Sequence, residues 1–241
     1  MRTKDPVEPA PLSRNPHLEL LLAMPLFAHL DGTVLLDLLR RMVLKRWYAD
    51  AIIAGQDEPG DALYILVSGR ARAVLFGENG REMTLASLSR GDYFGETALL
   101  DDKPHPAHVV AEGEVALLSL GRQAFRDHLL AHPQTALHML REMAGKLRAA
   151  NSLVESLALM DVPARLTRTL VALAEQEGEP FGDGLLIRKR PTQQALANMV
   201  GTCRETVSRT LSALARQGMV VTRGRSLVLR GPLLNGLAQA A

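Results

Sequence analysis

The sequence predicts an α+β chain in three parts: an N-terminal antiparallel β barrel or sandwich, a long helix, and a C-terminal winged helix-turn-helix. Three observations predict it. Between about residues 43 and 120, short β-prone runs (LYILV, RAVLF, MTLASL, HVVA, VALLSL) alternate with Gly and Asp, the texture of a β barrel or sandwich. From about 134 to 160, apolar residues recur at alternating steps of four and three. From 192 to 216, TQQALANMVGTCRETVSRTLSALAR reads as helix, tight turn at Gly201, helix.

Taken in order, residues 1–16 are Pro-rich and polar and predict a flexible tail with no secretory leader. Residues 17–41 carry Leu at helical spacing, broken at Pro25 and at Asp31-Gly32. The β-roll is expected to fill 17–132 and the helix 133–160. Along that helix Ala136, Leu140, Met143, Leu147, Ala150, Val154 and Leu157 form a heptad seam, which predicts a self-paired dimer helix. Asp161 is placed to cap the next helix, with Pro163 in its first turn, so 161–241 is expected as the last domain. After the helix-turn-helix, MVVTRGRSLVLR reads as a β-hairpin turning at Gly224, a wing with Arg223 and Arg225 at its tip.

Composition narrows the function. The 241 residues are 47% hydrophobic and 22% charged, which supports folded domains and excludes wholesale disorder. No apolar run approaches the ~20 residues that span a bilayer, so no membrane role is expected. The single cysteine, Cys203, forms no internal disulfide and excludes a four-cysteine iron–sulfur cluster; cytoplasmic localisation follows as an expectation. The net charge of +2 hides an asymmetry: residues 188–230 hold nine basic residues and one acid, Glu205. That local charge of +8 leaves −6 for the rest and points to a polyanion partner.

On the second helix of the turn motif Val207, Leu211 and Leu214 supply a buried face, while Arg204, Glu205, Ser208 and Arg209 face out. Arg bonds bidentately to guanine and Glu accepts from cytosine, so this face suits base reading in a major groove. Thr202-x-x-Glu205 is also a capping box, and both readings of Glu205 stay open on composition alone. Cys203 is expected as a small core residue.

The arrangement resembles the Crp/Fnr family of bacterial transcription regulators. GTCRETVSRTL is similar to the family's recognition helix, FGETALLD falls at its ligand cassette, and LALMDVPARL matches its hinge. The resemblance implies a cyclic-nucleotide-binding-like jelly roll and a homodimer on double-stranded DNA, with RNA polymerase as a further partner. It implies that Arg204, Glu205 and Arg209 read a palindromic TGTGA-like site, with Thr192, Gln193 and Gln194 at the phosphates. It also implies an effector pocket of Gly95, Glu96, Thr97, His105 and Ala107, with Ala150 and Asn151 from the long helix.

The ligand cassette departs from the cyclic-nucleotide branch. Gly95-Glu96 match the ribose-holding pair, but the phosphate-gripping Arg-Ser pair is replaced by His105-Pro106. Proline has no N–H to donate and histidine is at most partly charged at neutral pH, which argues against high-affinity cAMP binding. Three effector readings stay open: another nucleotide such as cyclic di-GMP with Arg70, Arg72, Arg81 and Arg90 as partners, no ligand, or haem. Seven histidines without ligand spacing disfavour haem. The alternative function is a nucleotide-binding regulatory module acting on a protein partner. An enzyme is not expected: no nucleophile–base pair, phosphate loop or metal cluster is evident, and Asp101-Asp102 reads as a solvated turn.

Overall fold

The computed structural model describes residues 15–78, 80–231 and 233–234. The chain opens with α1 (Pro16–Ala23), a 3-10 turn at Pro25–Phe27 and α2 (Gly32–Arg40). The breaks follow local chemistry. Pro25 starts the 3-10 turn, and Asp31 caps α2 by accepting from the Thr33 and Val34 N–H groups.

A six-stranded sheet follows, made of β1 (Met42–Trp47), β2 (Ile52–Ala54), β3 (Ala62–Phe76), β4 (Glu82–Leu88), β5 (Tyr93–Phe94) and β6 (His108–Gly121). Its path is β1-β6-β3-β4, with β2 on β6 and β5 on β3. Gly69 and Gly113, two of the glycines that separate the β-prone runs and so read as turns, instead lie inside continuous strands, β3 and β6. Each glycine has positive φ, +85° and +86°, and bends its strand without ending it. A Cβ on Gly69 would sit 2.3 Å from the Glu114 carbonyl oxygen, so only glycine permits the two strands to approach there.

α3 (Glu96–Leu100) interrupts the strands, and α4 (Arg122–Ala131) leads into α5 (Pro133–Leu159), the expected long helix. Leu18, Leu21, Phe27 and Leu35 from the N-terminal helices pack with Leu63 and Ile65 of β3, Leu120 of β6, Phe125 and Met139. A second apolar cluster, around Tyr64, Leu66, Phe94 and Leu117, fills the roll.

The C-terminal elements are α6 (Val162–Glu177), β7 (Glu179–Phe181), β8 (Gly184–Ile187), α7 (Gln193–Val200), α8 (Arg204–Arg216), β9 (Val220–Arg223) and β10 (Ser226–Arg230). Asp161 caps α6 through the Ala164 N–H at 2.9 Å. The stretch 177–184, whose Gly, Glu, Pro and Asp residues read as a loop, instead supplies β7, which pairs with β8 and completes a four-stranded sheet β7-β8-β10-β9. Leu166, Leu170, Leu196, Val207, Leu211, Leu227 and Leu229 form its core. Each fully buried leucine contributes ~1.5–3 kcal/mol.

The contacts group the chain into two compact units, one of the described residues in 1–73 and 86–146, the other of those in 74–85 and 147–241. α5 contributes to both.

Candidate functional site

Thr192 caps α7, its hydroxyl accepting from the Ala195 N–H at 3.1 Å, and Gly201 closes the helix at φ +67°. The Thr202 N–H still bonds to the Ala197 carbonyl, so Thr202 belongs to the closing turn of α7. The expected Thr202–Glu205 capping box is therefore corrected: Cys203 is the N-cap of α8. Glu205 nonetheless serves the helix start. Its own backbone N–H first, and the Cys203 thiol next, hold its carboxyl below the usual carboxylate range. Cys203 is exposed, 3.2 Å from the Thr206 hydroxyl, and the expectation of a core cysteine fails because the N-cap precedes the buried helical stripe.

Val207, Leu211 and Leu214 bury one face of α8. Arg204, Glu205 and Arg209 are exposed on the other, with Ser208 half-buried between them. Gly224 turns the β9–β10 hairpin at φ +58° and leaves Arg223 and Arg225 exposed at its tip. A groove of about 580 Å³ joins these parts, lined by Arg190, Thr192, Gln193, Gln194, Arg204 and Arg225 among others. Gln194 is exposed and bonded to Asn198, while Gln193 is half-buried. Among the described residues no acid forms an ion pair with Arg204, Arg209, Arg223 or Arg225. Arg188 differs: it forks onto Glu179 at 2.7 and 2.6 Å, so one of the nine basic residues is already neutralised.

In the N-terminal unit Gly95 has φ +91°, and a Cβ there would lie 2.5 Å from the Ala62 carbonyl oxygen. The following Glu96 is 3% exposed, and its carboxylate accepts from Lys146 Nζ at 2.7 Å. The same ammonium lies 4.6 Å above the Tyr93 ring. Burial first, and the carboxylates of Glu142 and Glu96 next, push the Tyr93 phenol well above its ordinary range. Thr97 is half-buried and Ala107 buried. His105 is buried too: its ring borders Gly60, where a Cβ would lie 3.3 Å from His105 Cε1. Ala150 and Asn151 are exposed on α5. Of the arginines considered for a dinucleotide, Arg72 faces Glu112 at 3.9 Å and Arg90 donates to the Val67 carbonyl at 2.8 Å, while Arg70 and Arg81 also have partners. Among the described residues no group of three or more His, Cys, Asp or Glu is arranged to hold a metal ion.

Residues 44–132 match the cyclic nucleotide-binding domain, and residues 164–235 match the Crp-like helix-turn-helix domain. A CRP-like cAMP-activated global transcriptional regulator of Mycobacterium tuberculosis is 32% identical over 177 residues, 73% of this chain and 79% of that protein. The chain belongs to the Crp/Fnr family. Among Crp/Fnr structures, the catabolite activator protein of Thermus thermophilus is 31% identical, with TM-score 0.52 over 90% of this chain and 99% of that one. The c-di-GMP responsive regulator CLP of Xanthomonas campestris, 22% identical, shares the fold with TM-score 0.74 over 83% of this chain and 100% of that one. The chain is a CRP-like transcription regulator with a DNA-binding helix-turn-helix. No helix among the described residues is long and apolar enough to cross a membrane.

Two residues of this Crp/Fnr chain were not singled out from sequence. Lys146 lies on the face of α5 that carries Met139 and Met143, and a lysine breaking that apolar stripe was the available signal. Arg190 lies in the DNA-side groove with its backbone N–H bonded to the Arg225 carbonyl, tying the segment before α7 to the wing. Of the seam residues, Leu140, Leu147 and Val154 are 60–64% exposed, and Ala150 is exposed as well. Met143 packs instead on the N-terminal core. Leu157 reaches Gly201, where a Cβ would lie 3.1 Å from its Cδ2.

Proposed function

We propose that the protein is a homodimeric, sequence-specific regulator that reads a palindromic TGTGA-like site and answers to a nucleotide bound in the β-roll. The observation that carries the DNA half is the exposure of Arg204, Arg209, Arg223 and Arg225, none in an ion pair among the described residues, with Arg204 and Arg225 lining one groove beside Thr192, Gln193 and Gln194. Arg204, Glu205 and Arg209, with Ser208 beside them, contact base edges. Thr192, Gln193, Gln194 and the wing arginines hold phosphates. The exposed Leu140, Leu147, Val154 and Leu157 support pairing of α5 with a second copy, since such a stripe is costly to leave in water. The domains act as a β-roll sensor over 17–132, a dimer helix over 133–160 and a DNA reader over 161–241. RNA polymerase is the partner through which binding changes transcription.

A nucleotide places its sugar at Gly95-Glu96, beside Thr97, with Lys146 supplying positive charge. Relatives named as cAMP-activated favour a cyclic nucleotide, and the missing Arg-Ser pair argues for an effector other than cAMP. Effector binding bears on α5 near Ala150 and Asn151, and the paired helices turn about Asp161 to set the spacing of the two α8 helices. The DNA-binding domain speaks against a module that acts only on a protein partner.

Sedimentation of the full chain with a labelled palindrome tests the reading. Two chains per duplex are expected, and Leu147→Arg is expected to abolish that stoichiometry; one chain per duplex would overturn the dimer. A thermal-shift panel of cAMP, cGMP and cyclic di-GMP tests the effector, because a ligand that binds only the folded state raises Tm. No shift with any of the three would overturn the nucleotide reading.

A further inference from the structure

Four of the seven histidines gather at one corner of the N-terminal unit. His29 follows the 3-10 turn, His128 and His132 close α4, and His138 lies in the second turn of α5. The His29 and His138 rings stack with centroids 5.0 Å apart and planes 8° from parallel. The His128 and His132 rings lie 4.9 Å apart, and Phe27 meets His128 edge-on at 6.0 Å. At the centre is the buried Thr135 hydroxyl, 3.1 Å from His29 Nε2 and 3.2 Å from His128 Nε2.

One hydroxyl carries one hydrogen. It donates to one imidazole and accepts from the N–H of the other, which satisfies both rings only while the accepting ring is neutral. A proton added to that ring aims two N–H donors at one oxygen and strands the threonine hydrogen in a site 1% exposed. It also sets a cation against the other imidazoles and Arg41, at the end of α2. Of the carboxylates nearby, Asp37 pairs with Arg41 at 2.9 Å and Asp127 accepts from Gln123 at 2.7 Å, while Asp31 caps α2 and its charge also reaches His132, not the buried His128. The C-terminal end of α4 favours a His128 cation, but burial outweighs it. Burial, followed by the charges of His132, His29 and Arg41, pushes the His128 pKa down to about 4. Burial and the neighbouring His138 and His132 hold His29 below its ordinary range as well.

We propose that this cluster is a proton-operated latch: neutral, it clamps the N-terminal helices to the start of α5, and in mild acid it opens. The clamped parts are the segment carrying α1 and α2, held through His29, and the α4–α5 corner, held through His128 and Thr135. Opening frees the first turns of the helix that carry Ala136 and the exposed Leu140 of the seam. The sign follows from proton binding. The opened state takes up protons near the ordinary histidine value of 6.5 and the closed state only near 4, so closure is fully favoured above 6.5 and weakens as pH falls toward 4. His128 alone then raises the open population about tenfold at pH ~5.5 relative to pH ~7.5.

Hydrogen exchange of the full chain, corrected for intrinsic rates, tests this. The amides of 16–40 are expected to exchange about tenfold faster at pH ~5.5, while those of β3 and β6 stay unchanged. His128→Phe keeps the apolar packing beside Phe27 and is expected to abolish the acid effect. Unchanged protection of the wild-type segment, or an undiminished acid effect in His128→Phe, would overturn the latch. If that variant does not fold, ring-proton NMR of the wild type decides: His128 is expected to titrate well below its ordinary range, in step with the opening. Four ordinary titrations would overturn the proposal.

Discussion

In the winged helix, Arg204, Arg209, Arg223 and Arg225 present their charge to water without an ionic partner among the described residues; in the β-roll, Glu96 is 3% exposed and already holds Lys146. The first arrangement is ready for a polyanion. Phosphates displace only water and counterions, and binding strengthens as salt falls. The second arrangement cannot take a ligand without exchange. A buried carboxylate needs a counter-charge, so a sugar hydroxyl at Glu96 has to share it with Lys146 or displace that ammonium. Substitutions at the DNA face therefore change affinity and spare the fold, whereas substitutions in the roll pocket change stability before they change ligand binding.

The largest effect is expected at Gly95. Gly95→Ala places a Cβ against the Ala62 carbonyl at positive φ, and urea unfolding is expected to show a loss of about 3 kcal/mol. Lys146→Met comes next, at about 2 kcal/mol, discounted because the lysine is half-exposed while Glu96 is buried. Adding Glu96→Gln should recover part of that loss, and a double-mutant cycle with no coupling would remove the pair from the account. Arg204→Ala is expected to cost ~1–3 kcal/mol of affinity for the specific site and to leave the Tm unchanged. Smallest is Arg223→Ala: binding to every DNA weakens alike, and the slope of log K against log salt falls by about 1.

The same contrast explains what was legible in the sequence. The α8 face could be read because a helix repeats locally: Val207, Leu211 and Leu214 mark the buried side and thereby place Arg204, Glu205, Ser208 and Arg209 opposite. The start of α6 and both ends of α7 were equally local, set by Asp161, Thr192 and Gly201. The pair Glu96–Lys146 joins residues 50 apart in the chain, and no spacing rule connects them. Gly69 and Gly113 look like turns because a strand that bends and a strand that ends use the same residue, and only the neighbouring backbone distinguishes them. Arg188 counted as free charge until the β7–β8 hairpin brought Glu179 to it. Cys203 shares the spacing of the buried stripe but stands just before it as the extended N-cap of α8, which leaves it exposed.

The central claim is that the α8 face reads base edges, beyond holding phosphates. Its most direct test is equilibrium binding of wild type and Arg204→Ala to a TGTGA palindrome and to a scrambled duplex of equal length, across a salt series. Wild type is expected to prefer the palindrome at every salt concentration, Arg204→Ala to lose about one to two decades of that preference, and their salt slopes to differ by no more than about one ion. Equal affinity of the wild type for palindrome and scrambled duplex, or a preference untouched by Arg204→Ala, would contradict the claim.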